Sequence, residues 1–600
     1  MKWLLIALPL VIFGVLAQSA FWVPTYASQA ERDPARLATF LRADIGDVKH
    51  LTPILQTDAG SAEIMLNNVT EALVDTDENG NAVPRLAERW EVTEEAYLAV
   101  LPDRKLPDGT LVSAQSLLAA VRRAWKEAKL GGLESSIQGV ELVPGETRAL
   151  SETVLVDNEK GNKEPVMVDM TVQVPERVKL RLSKVEAQLF KRLEAVVGAG
   201  YFESYPFADR FQLKKPELLP RIRDKFPELL AVAEHNPVIT FFLRPSVHWH
   251  DGAPFTAEDV KFTYEALIDP NVASPRSSSY VTIKSFEVVN ELTARITYKR
   301  LYSPAILDWQ LEPLPKHLLD DAALAREMNA RGIPPAARKT FTLRDSSYNL
   351  KPIGTGPFRF AEWVPDQFIR LTRNDEYWGR KAEYRELYFR VIPDYLTMEL
   401  EFQAGALDRY EAQTYQAERY LKDPAYNVVS SPEGQYAYIG YNMRRPLFQD
   451  VRVRRALGMA IDVDSIIKYV LYGQGRRSTG PYFSSTPFND KTQKPLPYDP
   501  EGAARLLAEA GWKKNAAGLL EKDGKVFQFT LVTNNANQKR KAVMTIAQEA
   551  WRKLGIDCKI QVFEWTVLLS EFIHVGNFDA YVMGWVGGDL NPDMYQVWHS

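Results

Sequence analysis

Apolar and polar residues alternate in short runs along this chain. "ARITYK" (Ala294–Lys299) alternates at every place and "FQFTLVT" (Phe527–Thr533) at all but Leu531–Val532, which predicts strands with one face buried. Between such runs lie segments with their own punctuation. "DPEGAARLLAEAG" has Asp499 as N-cap, Pro500 at the first helical position and Gly511 just past the end, a complete helix signal. "QDVRVRRALGMAIDVDSIIKYVLYG" predicts two helices, capped by Asp450 and Asp462, the second stopped by Gly473. "FTAEDVKFTYEAL" opens with Thr256 and Asp259 in a capping-box arrangement. Helices and strands interleave throughout, so the expected class is α/β.

The pattern also echoes itself. "LPDGTLVSAQSLLAAVRRAW" (Leu106–Trp125) resembles "WHDGAPFTAEDVKFTYEAL" (Trp249–Leu267): Asp-Gly, a hydroxyl or small residue, then a helix. Further on, "ERVKLRLSK" (Glu176–Lys184) resembles "ELTARITYK" (Glu291–Lys299). Two echoes in one order point to a partial duplication. Chance likeness between two common strand–turn–helix units is the other reading.

Length and composition narrow the class. At 600 residues the chain is too long for one core, so two or more domains are expected. A net charge of −4 gives no basic excess for nucleic acid. The chain is rich in aromatics, which suits a ligand-binding interior and large cores alike. "WLLIALPLVIFGVLA" after Lys2 reads as an export signal, with small residues at "QSA" and "YAS" for cleavage. The apolar stretch Trp3–Val23 is also long enough to span a bilayer uncut, so residues 1–28 are either signal peptide or anchor. The one cysteine, Cys558, excludes an intramolecular disulfide and reads as a buried structural thiol in a strand.

The sharpest candidate chemistry is "VHWHDG" (Val247–Gly252). On a strand His248 and His250 face the same way, with Asp251 beside them, so a metal-dependent enzyme is one reading. Asp-Gly also makes a tight turn. The echo keeps the turn and helix but neither histidine, which favours a structural role without excluding a lost metal site. No nucleophile elbow, phosphate loop or zinc-protease helix motif occurs.

Several motifs, taken in order, resemble family 5 of the extracellular solute-binding proteins, the peptide-binding receptors of bacterial ABC importers. They are "LTPILQTDAGSAEIMLNNVTEALV", "LAERWEV", "ITFFLRPSVHWHDGAPFTAEDVKFTYEAL", "PIGTGPFRFAEW", "NDEYWG", "FQDVRVRRALGMAID", "YDPEGAARLLAEAGW" and "FDAYVMGWVGGDLNPD". The resemblance covers most of residues 45–100 and 237–600. It implies a two-lobed α/β periplasmic binding protein fold. The first lobe would hold residues 29–100 and 238–351, and the second residues 352–600. Residues 101–237 would be an inserted subdomain carrying the echo, and a closing segment is expected beyond Ser600. It also implies capture of a peptide, delivery to an ABC transporter permease, a monomeric protein outside the cytoplasm, and no cofactor, metal or nucleic acid. Gly354 and Gly356 are expected beside the hinge. Trp585, Asn442, Tyr441, Trp363 and Ser61 are candidate ligand contacts. The family's amine-anchoring aspartate, three places after the "GW" tryptophan, is Gly588 here, and Asp589 follows. Asp589 is a candidate anchor, with a solvated loop acid as the equal alternative. The departure opens the way to oligosaccharides, metal chelates or modified peptides as ligands.

Overall fold

The computed structural model describes residues 33–586 except 49, 56–58, 78–80, 158–162, 204–210, 214–217, 219–230, 302, 431–434, 483–488, 536 and 574. The apolar segment at the start of the chain lies outside the described residues. Among those described, no helix is long and apolar enough to cross a membrane. The chain divides into two compact units. The first ends at Asp75 and resumes over Ala82–Arg409, and the second takes Thr76–Asn81 and the chain from Tyr410 onward. Residues 352–409, expected in the second lobe, therefore belong to the first unit.

The first unit is built on a six-stranded antiparallel sheet. Its elements are β1 (Ala87–Ala99), α1 (Ala114–Lys126), β2 (Ile137–Val143), β3 (Arg177–Leu182), β4 (Ala233–Leu243), α2 (Ala257–Ile268), β5 (Ile283–Asn290) and β6 (Thr293–Tyr298). The strand order is β5-β6-β4-β1-β3-β2. Residues 101–237 are thus no appendage, since β3 and β2 continue the sheet that β4 and β6 begin. The two halves match position by position. Leu106 N–H donates to Thr110 O at 2.9 Å, and Trp249 N–H to Ala253 O at 2.8 Å. Gly109 and Gly252 take the turn at φ +85° and +91°, which glycine adopts without strain. Ser113 with Ser116, and Thr256 with Asp259, cap the helix that follows. Both outer strands bulge at the same place, Ile137/Gly139 and Ile283/Ser285.

Burial corrects the register of the second echo. Ala96 pairs with Leu180 and Leu98 with Val178, while Ile239 pairs with Ile296 and Phe241 with Ala294. Val178, Leu180 and Leu182 therefore correspond to Ala294, Ile296 and Tyr298, one place away from the letter-by-letter match. A one-residue slip would turn every one of these side chains to the other face. A third correspondence escapes a reading by letters. The loop Gly198-Ala199-Gly200 lies against Pro107 as Gly354-Thr355-Gly356 lies against His250. Each half has its own core, one around Leu98, Leu117, Val121 and Leu180, the other around Phe241, Val260, Ile296 and Trp309. The chain leaves the shared sheet and returns to it at adjacent points, for Ala99 N–H donates to Val232 O at 2.8 Å.

A second sheet of the first unit pairs Thr39–Asp44 in parallel with Glu386–Val391 and adds Phe358–Val364 and Phe368–Arg373. Beside it the "NDEYWG" motif closes on a buried carboxylate. Tyr377 Oη donates to Glu71 at 2.6 Å, Trp378 Nε1 donates at 2.8 Å, and Arg85 Nε lies 2.9 Å away. Burial holds the Glu71 pKa above the usual carboxylate range.

The second unit contains β7 (Gln435–Tyr441), α3 (Val451–Met459), α4 (Pro500–Glu509), β8 (Gln528–Asn534), α5 (Gln538–Leu554), β9 (Asp557–Phe563) and β10 (Ala580–Val586). The sheet order is β7-β10-β8-β9, with β8 parallel to both β9 and β10 and β7 antiparallel. The predicted caps Asp450, Asp462 and Asp499 each accept from a backbone N–H of the first turn. Phe529, Leu531, Ala547, Trp551, Cys558 and Val582 fill the core, and burial pushes the Cys558 thiol up to about 12.

Candidate ligand-binding site

In the second unit the parallel strand β8 ends at Asn534, and Asn537 caps α5 by accepting from Arg540 N–H at 2.9 Å. The first turn of α5 therefore opens at the carboxyl end of a strand, where open α/β sheets generally receive ligands. Arg540 folds back from that turn. Its Nη1 donates to Asn534 Oδ1 at 3.0 Å, and its guanidinium stands 5.8 Å from the Trp565 ring. A methyl group at Gly584 would sit 3.2 Å from Arg540 Nη2, so the bare backbone there leaves room for the fork. Next along β10 is Trp585, paired across the sheet with Tyr436. Tyr436 lies 5.6 Å from Tyr438, and the Tyr438 and Tyr581 hydroxyls meet at 3.2 Å. Trp565 stays 40% exposed, so aromatic surface is open to solvent beside the cation. Among the described residues no carboxylate pairs with Arg540. Burial lowers its pKa, and the nearby Tyr438 partly opposes that. The arrangement can stack a flat or apolar group and donate a forked pair of hydrogen bonds.

Of the residues read from the sequence, Trp585 is partly exposed on β10, on the face opposite to the one where Gly584 meets Arg540, and Asp589 lies outside the described residues. Tyr441 and Asn442 stand at the opposite end of β7, since Tyr441 pairs with Ala580 while Tyr436 pairs with Trp585. Tyr441 packs on Phe448. Asn442 is buried and donates to Gly576 O and Phe578 O at 3.0 and 2.8 Å, which closes a loop. Both have local partners that account for them without a ligand. Trp363 and Ser61 belong to the first unit. Trp363 Nε1 donates to both oxygens of Asp47 at 3.1 and 3.2 Å, and Ser61 is fully buried on the helix Ala59–Met65. Gly354 and Gly356 lie within the first unit. A Cβ at Gly354 would meet Val69 O at 1.8 Å, and one at Gly356 would meet Asn68 O at 2.3 Å. These glycines permit close backbone packing.

The histidine pair separates. His248 is exposed, its ring 3.3 Å from Ser246 O. His250 is buried and uses both nitrogens on the same loop: Nδ1 accepts from Gly354 N–H at 3.2 Å, and Nε2 donates to Gly356 O at 3.0 Å. Burial pulls its pKa down to about 4. Asp251 pairs with His317 Nε2 at 2.7 Å. No group of three or more histidine, cysteine or acidic residues is placed to hold a metal among the described residues. Residues 247–252 thus form a turn that clamps the Gly354–Gly356 loop.

The sequence reading missed Arg540, Asn534, Trp565, Tyr436 and Tyr438. One signal was available: Lys539, Arg540 and Lys541 crowd the first turn of α5, where the helix dipole disfavours cations and no acid is present.

Known proteins agree with this architecture. Residues 228–600 match the family model described as bacterial extracellular solute-binding proteins, family 5 Middle. The chain is 34% identical over 370 residues to the oligopeptide-binding protein AppA of Bacillus subtilis, a match spanning 60% of this chain and 64% of AppA, less than two thirds of its length. It is 28% identical to heme-binding protein A of Haemophilus influenzae, over 62% of this chain and 68% of that protein. Among solved structures, B. subtilis AppA in complex with a nonapeptide aligns over 94% of this chain and 82% of its own, at TM-score 0.58 and 25% identity. NikA of Brucella suis with Fe(III)-EDTA aligns over 92% and 80% at TM-score 0.59, and its 21% identity speaks for the fold alone. The chain belongs to family 5 of the bacterial extracellular solute-binding proteins.

Proposed function

We propose that this protein captures peptides outside the cytoplasm as the solute-binding component of an ABC importer and delivers them to a membrane permease. The observation that carries the reading is the cluster at the end of β8. It offers an exposed indole, a guanidinium and the Tyr438 hydroxyl near it, as suits a ligand with side chains, amides and a charged end. Family membership and the peptide-binding names of AppA and the Escherichia coli dipeptide-binding protein support it. A buried peptide needs partners for its backbone groups, because each unpaired polar group costs roughly 1–3 kcal/mol.

A metal chelate is the second reading. Its carboxylates would meet the same guanidinium, and the structures of Campylobacter jejuni NikZ with Ni(L-His) and Brucella suis NikA with Fe(III)-EDTA hold such solutes on this fold. Mass spectrometry of small molecules released from the purified protein by mild denaturation separates the two. Peptides in stoichiometric amount support the first reading, and a chelate without peptides overturns it.

A further inference from the structure

We infer that the second unit carries a further binding site, apart from the cluster around Arg540, for a small amphiphilic anion: an apolar chain or ring that ends in a carboxylate or sulfate. The site is a groove of about 290 Å³ where α4, the end of α5 and the small sheet of Lys513–Lys514, Leu520–Lys522 and Lys525–Val526 meet. Leu507, Trp512, Leu520 and Leu554 make its floor, each less than a tenth exposed. Trp512 N–H donates to Leu507 O at 2.9 Å, and the indole packs on Phe527 with ring centroids 4.5 Å apart, so the floor holds its shape by itself. The groove is open because α4 turns Ala504 and Ala508 to it, one helical turn apart, where longer side chains would fill the space. Leu554 ends α5 and Arg540 lies in its first turn, which puts the groove about 20 Å along the helix from the first cluster.

The rim supplies the charge. Lys513 and Lys514 both line the groove, and among the described residues no acidic side chain does. Neither ammonium has an ion-pair or hydrogen-bond partner among the described residues. Lys514 stands opposite Leu520 across the strand pair, so its stem lies on the side of the floor. The acid opposite Lys513 is Glu521, which accepts instead from Asn515 Nδ2 at 3.0 Å. A pocket that is apolar over most of its lining, with a few polar groups gathered at one place, suits a small ligand held by its apolar part and oriented by its polar end. A neutral apolar molecule would leave both cations unanswered. A bare inorganic anion would leave the floor in water. A ligand with an apolar end and one negative charge answers both.

The test is calorimetry on the full chain with butyrate, hexanoate and octanoate, and with octanol as the uncharged partner of the last. Affinity should rise about fourfold for each methylene that enters the groove. Octanoate should bind about fivefold tighter than octanol, as expected for a partly exposed ion pair. Changing Lys513→Gln and Lys514→Gln together should bring that ratio near one and keep the dependence on chain length. Ala508→Leu fills the groove and should abolish octanoate binding. All three positions are exposed, so the variants should unfold at the wild-type temperature. Octanoate bound equally well by Ala508→Leu would place the chain elsewhere and overturn the site. Butyrate bound as tightly as octanoate would mean an adventitious ion only, and octanol bound as tightly as octanoate would remove the role of the lysines. Binding to phosphatidylglycerol vesicles without binding of octanoate would make this a membrane-facing surface and overturn the pocket. The outcome is independent of whether peptides bind at the first cluster.

Discussion

Glu94 and Pro237 face each other across the central strands β1 and β4, and each is the other's counterpart in the two halves of the sheet. The pairing around them is symmetric: Thr93 faces Val238 as Glu95 faces Asn236. The first unit thus holds two strand–turn–helix–strand–strand halves joined edge to edge about one point. Glu94 is buried at that point, accepting from Glu186 N–H at 2.7 Å and bonded to His235.

Because the first half leaves and re-enters the sheet at hydrogen-bonded neighbours, it should be removable. Replacing residues 100–231 with a two- to four-residue turn joins Ala99 to Val232 as a hairpin. The shortened protein should fold and keep whatever ligand wild type binds. Uncovering Leu98 alone should cost about 2 kcal/mol. Circular dichroism and urea titration check this, and a chain that stays unfolded with Leu98 changed to threonine would refute it.

His250 should make stability depend on pH. It is neutral in the fold, and its pKa falls from 6.5 to about 4. Between those values the unfolded chain binds a proton at His250 that the folded chain does not, so this residue's contribution to stability rises with pH from about 4 to 6.5 and is flat on either side. The shift is worth about 3 kcal/mol. His250→Gln should remove that slope in urea midpoints measured across the range. A loss of binding rescued by zinc would instead restore the metal reading of this motif.

Two glycines separate close packing from turn geometry. Gly354→Ala drives a methyl into the Val69 carbonyl and should destabilise the protein by about 3 kcal/mol or more. Gly109→Ala meets no atom within 4 Å but must hold φ +85°, a cost of about 1–2 kcal/mol. Thermal unfolding of the two variants should rank them in that order. Equal costs would mean that the loop near Val69 shifts to relieve the contact.

Asn442 offers a check on a candidate ligand contact that already has local partners. Asn442→Ala strands two carbonyls and the backbone N–H of Arg444, so it should lower stability by about 2 kcal/mol. At a temperature where the variant is folded, affinity for a peptide that wild type binds should stay within a few-fold. Affinity lost in the fully folded variant would return Asn442 to the site.

What the sequence determined by itself was local. Capping residues, Asp-Gly turns and alternating runs act over a few residues, so the helix starts at Thr256, Asp450, Asp462 and Asp499, the strands and the α/β class were all legible. The ordered motifs carried the family, and an echo in letters hinted at a repeat. The tertiary structure decided whatever depends on which residues meet across long separations. Burial, not letter identity, set the register that matches Leu180 to Ile296. The approach of Val69 to Gly354 gave that glycine a packing reason that the letters did not show. The buried loop carbonyl at Gly356 turned a metal-like histidine into a clamp. Arg540 lies 44 residues before Gly584 and looks like any surface arginine until strand β8 and helix α5 bring it against that glycine and Asn534, because the neighbours of a side chain are set by tertiary contacts.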